Sequence, residues 1–445
     1  MSRKRPWDEE GFRCPYLDTI NRSVLDFDFE KACSVTGNNF NVYACLVCGK
    51  YFQGRGKHTQ AYTHALQESC ESHHVYMNLG DGRTYCLPDG YEVIDSSLKD
   101  IQNMLDPSFS ASRIATLDTV PVYSRGVDGS DYMPGLIGLN NIKHTDFVNV
   151  IVQSLARVPP LRDFFLLPAN YKACTAPLVK EFGALIRKVW SPYNFKGQVS
   201  PHELLQAIMH ASGNRFKIGV QADPMDFLAW LLNALHTALG GTKKQGSSII
   251  HKTFQGTVKI TTHKAGSDEV TEAETPFLYL TVDVPPAPLF KDALERNIIP
   301  QVPLFACLTK FDGQSFQEMM NGDRRRYVIT RMPRYLIVHI KRFSKNTQQF
   351  LEKNPTIVNF PVRNLELGQF TQLSEEEKAK GASTKYHLMC STQHDGSPES
   401  GSYRVFVHFK ANDQWYEVQD LHVNGVHPQL ISVSESYIQF YEAAT

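Results

Sequence analysis

Apolar residues recur at helical spacing from Phe147 to Leu155 and again from Met225 to Leu235, so each stretch is expected to bury a helix face. Further along the pattern changes. The runs Arg334 to Phe343, Tyr403 to Phe409 and Trp415 to Val418 are alternating or continuous apolar segments rich in β-branched and aromatic residues, as strands are. Helices thus open the larger part of the chain and strands close it, an α+β arrangement. From Asp106 to Pro134 the sequence is rich in Ser, Asp, Pro and Gly without strong periodicity, which predicts a connector. The charged stretch Glu375 to Gly381 predicts a surface loop. No repeat, heptad pattern or long low-complexity segment interrupts this order.

A length of 445 residues exceeds one typical core and suggests a small folded unit plus a large one. The expected division is a short tail over 1–12, a small domain over 13–105, a linker over 106–134 and a large domain over 135–445. Lys and Arg number 46 and so do Asp and Glu, so broad electrostatic capture of nucleic acid or anionic membrane is not indicated. The first residues lack an apolar segment, and no later run reaches the roughly 20 apolar residues that span a bilayer. A soluble, unsecreted protein with no membrane partner is expected. Nine cysteines without a regular framework favour a reducing compartment.

Six of those cysteines, Cys14, Cys33, Cys45, Cys48, Cys70 and Cys86, lie in the first hundred residues beside His58, His64, His73 and His74. Cys45 and Cys48 form a C-x-x-C pair, which presents two thiolates from one compact turn. With His64 and His73 downstream, the spacing suits a structural zinc, whose tetrahedron takes soft or borderline donors. A pair of buried free cysteines is the alternative. A redox pair fits less well, because no βαβ pattern surrounds it.

The segment Tyr43-Ala-Cys-Leu-Val-Cys-Gly-Lys-Tyr-Phe-Gln-Gly-Arg55, with His64 and His73-His-Val75, resembles the zinc-finger domain of ubiquitin-specific proteases. Members of that family can hold several zinc ions. Here Gln53 and Gln60 stand at a cysteine and a histidine position, and Tyr16 follows Cys14 where histidine is frequent. The resemblance therefore implies one zinc on Cys45, Cys48, His64 and His73, with His74 the alternative fourth ligand. In the family this domain binds the free tail of ubiquitin. Arg55 matches the arginine of that pocket, whereas Tyr43 replaces its tryptophan, so ubiquitin binding is expected to be weak or lost.

The stretch Gly138-Leu-Asn-Asn-Ile-Lys-His-Thr-Asp-Phe-Val-Asn-Val-Ile-Val-Gln-Ser-Leu155 resembles the Cys box of the same proteases. Asp146 takes the nucleophile position, Lys143 and His144 replace a Gly-Asn pair, and Asn141 matches the oxyanion donor. Tyr386 to Gly396, Gly401-Ser-Tyr403 and Trp415 to Asp420 resemble the His box, with Ser402 at the general base and Gln419 at the orienting position. A cysteine protease needs a thiolate, an imidazole base and an oxyanion donor. All three triad positions thus differ, which implies a protein without protease activity. Cys174 and Cys390, with His394 and His408, are the candidate substitutes, and buried structural cysteines are the commoner case.

The likeness continues through Gln221 to Leu228, Met332 to Phe343, Lys353 to Pro361 and Ser434 to Ile438. It implies a papain-like fold with a helical thumb, a β palm and β fingers. Cys307 is the sole cysteine between Cys174 and Cys390, so the fingers are expected to hold together without metal. Lys341-Arg-Phe343, with Lys345, and Arg324-Arg-Arg326 are read as solvated strand ends in preference to RNA-contacting patches. Cys14 to Glu30 and Ile94 to Ile101 extend the resemblance to the splicing-associated, inactive branch of the family. That branch implies a nuclear scaffold whose partners are proteins of the U4/U6-U5 tri-snRNP, with direct RNA contact left open. A ubiquitin-binding adaptor and an unconventional deubiquitinase are the other readings.

Overall fold

The computed structural model describes residues 14–67, 73–286, 300–345, 351–379, 381–398 and 400–444. The expected tail over residues 1–12 and Cys70 lie outside them. The chain forms two compact units. One holds the described residues up to Ile114 with Pro121–Asn140 and Glu181–Ile208, and the other holds Ala115–Val120, Asn141–Lys180 and the described residues from Met209 onward.

The first unit is built on a five-stranded antiparallel sheet in the order Tyr51–Gln53, Val42–Cys45, Val75–Asn78, Thr84–Cys86, Glu92–Val93. Because side chains alternate across a strand, Val42, Ala44, Val75 and Met77 join one core with Leu98 and Ile101. Tyr43, Cys45 and Tyr76 join a second core on the other face with Phe52 and Tyr85. This double burial explains why these strands show no apolar alternation. The expected connector carries structure of its own: a helix at Ala111–Ile114 and a short hairpin pairing Ser124–Arg125 with Asp131–Tyr132. Phe109, Leu117 and Tyr132 within it are buried, apolar anchors too sparse to create a sequence period.

The second unit centres on an eight-stranded sheet in the order Leu280–Asp283, Tyr335–Lys341, Ser436–Ala443, Lys385–Ser397, Ser400–Phe409, Gln414–Gln419, His422–Val426, with Leu365–Glu366 also pairing Lys385–Ser397. The first pair is parallel and the others are antiparallel. Leu336, Val338 and Ile340 point into the large core with Leu280, Val282, Leu388 and Tyr441. The helix Asp146–Leu155 packs against the strand Ser400–Phe409 and the helix Pro224–Ala238, and all ten of its residues are buried. Pro224–Ala238 starts as its sequence dictates: Asp223 accepts from the Met225 N–H at 2.6 Å and proline occupies the first turn. A separate antiparallel sheet runs Val270–Phe277, Gly256–His263, Arg324–Arg331, Gln317–Glu318.

Two expectations are corrected. Glu375–Ala379 is a short helix and not a loop, with Lys378 bonded to Glu375 one turn back. Arg342 is no solvated strand end and no surface for RNA. It is 1% exposed, donating through Nε to the Ser436 carbonyl at 2.6 Å and through Nη1 to those of Thr356 at 2.5 Å and Asn354 at 3.1 Å. A guanidinium can be buried when carbonyl acceptors take its protons.

Candidate functional site

The loop before helix Asp146–Leu155 turns through two consecutive left-handed residues, Lys143 at φ 53° and His144 at φ 62°. Neither is glycine, so the turn is strained. Hydrogen bonds hold it. Asn141 Oδ1 accepts from the Thr145 N–H at 2.9 Å, Thr145 Oγ1 accepts from the Ile142 N–H at 2.9 Å, and the Lys143 carbonyl accepts from Gly219 at 2.9 Å.

This turn delivers Asp146 to the first helical position, 3% exposed. Its Oδ2 accepts from the Tyr403 backbone N–H at 2.9 Å, and Gln221 Nε2 donates to both oxygens at 3.0 and 2.8 Å. The helix N-terminus adds its own positive field. Gln221 Nε2 also reaches the Gly401 carbonyl at 3.1 Å, so one amide joins the helix to the residue preceding Ser402. Ser402 Oγ accepts from Gln419 Nε2 at 3.2 Å. The three positions thus sit in one hydrogen-bonded neighbourhood of carboxylate, hydroxyl and amides.

Asn141 Nδ2 does not point at an open oxyanion position: it donates to Asp420 at 3.0 Å, and Asn149 Nδ2 donates to the other Asp420 oxygen at 3.0 Å. Asp420, at φ 49°, is thereby a bridge between loop and helix. Three participants carried no assigned role in the sequence: Gln221, Asp420 and the Tyr403 N–H. Gln221 and Asp420 lay inside motif stretches already recognised, which was the available signal. A backbone donor leaves no trace in side-chain identity.

The substitute cysteines lie elsewhere. Cys390 is fully buried, and burial pushes its thiol up to about 12, against thiolate formation. Cys174 Sγ lies 3.2 Å from the Ala238 carbonyl. Cys307 is buried in the large core, which also raises its thiol. Burial lowers His394 to about 4, and also lowers His408, which bonds Asp413 at 2.8 Å.

In the first unit Cys45 ends one strand, and the chain doubles back through Gly49 at φ 74°, whose N–H bonds the Cys45 carbonyl at 2.9 Å. A Cβ on Gly49 would lie 2.3 Å from the Val24 carbonyl oxygen, so the knuckle admits only glycine. Ligand atoms of Cys45, His64 and His73 all lie within 4.8 Å of one another, with Cys45 Sγ 3.7 Å from His73 Nδ1. Cys48 adjoins this group. The hydrogen bond from the Cys45 thiol, and the nearby His73, lower the Cys48 thiol, while that same bond raises Cys45. His64 Nδ1 bonds the Tyr76 hydroxyl at 2.7 Å, the kind of outer contact that fixes a ligating imidazole. Two thiols and two imidazoles fit the donor set of a structural zinc. His74 faces elsewhere, bonding the Leu87 carbonyl at 2.8 Å with its ring tilted 38° against Tyr16 at 4.0 Å. Arg55 lies 3.9 Å over the Tyr85 ring, and buried Tyr43 meets that ring edge-on at 6.1 Å.

A knuckle finger preceding a palm sheet that faces a buried helix start is the build of a ubiquitin-directed hydrolase. The family model for ubiquitin carboxyl-terminal hydrolase matches residues 137–441, and that for the zinc finger in ubiquitin-hydrolases and other proteins matches 33–98. The chain belongs to the ubiquitin carboxyl-terminal hydrolase family, with the α+β, papain-like fold expected of it. It is similar to ubiquitin carboxyl-terminal hydrolase 39 of Mus musculus, 50% identical over 98% of this chain and 81% of that protein. It is also similar to the probable mRNA-splicing protein ubp10 of Schizosaccharomyces pombe, 42% identical over 97% of this chain and 88% of that one. Among solved structures, the crystal structure of an essential yeast splicing factor superposes with a TM-score of 0.77 at 26% identity, covering 97% of this chain and 100% of that chain.

Proposed function

We propose that this chain is a non-enzymatic scaffold in pre-mRNA splicing, acting in the nucleus to support assembly or stability of the U4/U6-U5 tri-snRNP within the spliceosome. The carrying observation is Asp146, a carboxylate at the nucleophile position whose oxygens are taken up by Gln221 and the Tyr403 N–H. Attack by such a group on an isopeptide would have to form a mixed anhydride, less stable than the amide it replaced, and among the described residues no imidazole hydrogen-bonds Asp146 to move the proton. Positions that perform acyl transfer in a working triad here join helix to sheet. The splicing assignment draws support from the names of two relatives, the probable mRNA-splicing protein ubp10 of Schizosaccharomyces pombe and the pre-mRNA-splicing factor SAD1 of Saccharomyces cerevisiae.

Cys45, Cys48, His64 and His73 are read as the ligands of one structural zinc that fixes the finger. Its partners would be tri-snRNP proteins engaged through protein surfaces. A pull-down of the tagged full chain from nuclear extract at moderate salt, with mass spectrometry of the recovered proteins and a ubiquitin–fluorophore assay alongside, tests the reading. Tri-snRNP proteins without cleavage are expected. Cleavage abolished by replacing Cys174, Cys307 or Cys390 singly would overturn it in favour of an unconventional deubiquitinase.

A ubiquitin-binding adaptor is the second reading, favoured by Arg55 stacked on Tyr85 beside Tyr43. On that reading free ubiquitin binds the intact chain, loses affinity with Arg55→Ala and fails to bind without its terminal glycines. No binding of intact ubiquitin removes it.

A further inference from the structure

A pocket of about 480 Å³ opens in the second unit, well removed in sequence from Asp146, where three segments converge. The loop after helix Pro224–Ala238 supplies Lys244, the helix Ile249–Phe254 supplies His251 and Lys252, and the turn leaving strand Arg324–Arg331 supplies Arg331 and Arg334. Glu377, from the short helix Glu375–Ala379, is the one carboxylate among the described residues that line it. Four permanent cations therefore face one anion. Among the described residues none of the four forms an ion pair, whereas elsewhere in this unit Lys259 pairs with Glu272 and Lys310 with Asp283.

The walls are held in place. Arg331 is half-buried, and its Nη2 donates to the Gln255 carbonyl at 3.0 Å. Burial lowers its pKa, the mark of a desolvated positive charge, with Glu377 opposing that effect. His251 stacks on His236 at 3.6 Å between ring centroids, and His236 is fixed by Ser248 Oγ at 2.7 Å and the Thr242 carbonyl at 3.2 Å. Ser247 Oγ closes the loop by bonding the Thr242 carbonyl at 2.8 Å and accepting from its N–H at 3.0 Å. The lining is polar, which disfavours an apolar ligand. Converging lysine and arginine groups around a volume of this size match a compact anion carrying more than one charge, because guanidinium forks and ammonium groups bond several phosphate oxygens at once.

We propose that this pocket binds a phosphate-bearing anion, either a free polyphosphate or a phosphoryl group carried on a partner polypeptide. Lys244, Lys252, Arg331 and Arg334 supply the charge, and Glu377 tempers it so that neutral or singly charged ligands are held weakly. A carboxylate-rich peptide would meet the same cations with fewer oxygens per charge centre, so phosphate is the better fit.

Isothermal titration of the full chain with pyrophosphate at fixed ionic strength tests the site. Saturable binding of one ligand per chain is expected, at least tenfold weaker in Lys252→Glu/Arg334→Glu and several-fold tighter in Glu377→Gln. Both altered cations are at the surface, and Lys252→Gln/Arg334→Gln repeats the test without charge reversal, with circular dichroism confirming the fold. Arg324→Glu/Arg326→Glu, at the opposite end of the strand that supplies Arg331 and outside the pocket lining, leaves the affinity unchanged if the pocket is the site. Absence of saturable binding, or an equal loss in the Arg324/Arg326 variant, overturns the proposal. A phosphoserine peptide and its glutamate counterpart form the second arm. Tighter binding of the phosphopeptide than pyrophosphate assigns the anion to a partner polypeptide, the reverse order assigns a free polyphosphate, and preference for the glutamate peptide over both overturns it.

Discussion

Asp146 Oδ2 accepts the backbone N–H of Tyr403 at 2.9 Å, a bond between the first turn of a buried helix and a strand 257 residues later in the chain. Both partners are buried, and Gln221 completes the shell of the same carboxylate. The carboxylate thereby fastens the helix to the strand.

Asp146→Ala is therefore expected to destabilise the second unit strongly. It leaves the buried Tyr403 N–H and one donor of the half-buried Gln221 without their acceptor, a loss of about 2–4 kcal/mol. Urea unfolding of the full chain measures it, and an unchanged midpoint would mean the network is loose in solution.

Lys143→Gly is expected to act in the opposite direction. The left-handed φ of 53° at Lys143 costs a residue with a Cβ about 1 kcal/mol, which glycine avoids. A higher thermal midpoint is the expected outcome. A lower one would show that the side chain makes a compensating contact.

Metal analysis of the purified chain is expected to find one zinc. His73→Ala should release it while His74→Ala, whose ring contacts Leu87 and Tyr16, should retain it. Chelation should lower the melting temperature, because ligand binding to the folded finger adds to its stability. More than one zinc per chain would overturn the ligand assignment.

Acid should weaken the second unit before its carboxylates titrate. Burial, reinforced by Lys341 for His339 and Lys353 for His394, holds both imidazoles near pKa 4 from an ordinary 6.5. The unfolded chain takes up these protons first, so stability is complete above about pH 6.5 and declines as pH falls from there towards 4. On the order of 1–2 kcal/mol per histidine is lost between pH 7 and 5. Urea midpoints at pH 7, 6 and 5 report it, and His394→Gln should flatten the slope. An identical slope in that variant would remove His394 from the account.

Much of this arrangement was legible in advance. The Phe147 to Leu155 and Met225 to Leu235 periods, the three strand runs and the Cys45-x-x-Cys48 knuckle all mark elements present in the fold. Those signals are local: a helix face, an apolar run or a tight turn is written in neighbouring residues. The Arg342 environment was not legible, because three carbonyls from Asn354, Thr356 and Ser436 replace the solvent that a Lys-Arg pair suggests. Nor was the helix at Glu375–Ala379, where a single turn gives too short a period to stand out from a charged loop.

The sequence by itself determined that Asp146, Ser402 and Gln419 stand within the stretches that resemble the Cys and His boxes, because residue identity in a motif is a local matter. It also determined which thiols and imidazoles the finger offers. Only the tertiary structure decided what those residues do: that Asp146 is bonded by a backbone amide far along the chain, that Asn141 and Asn149 both turn to Asp420, and that His73, not His74, adjoins Cys45 and His64. The physical reason is that such contacts depend on direction and distance between segments remote in sequence. Residue type fixes which hydrogen bonds a group can make, and packing alone selects which of them form.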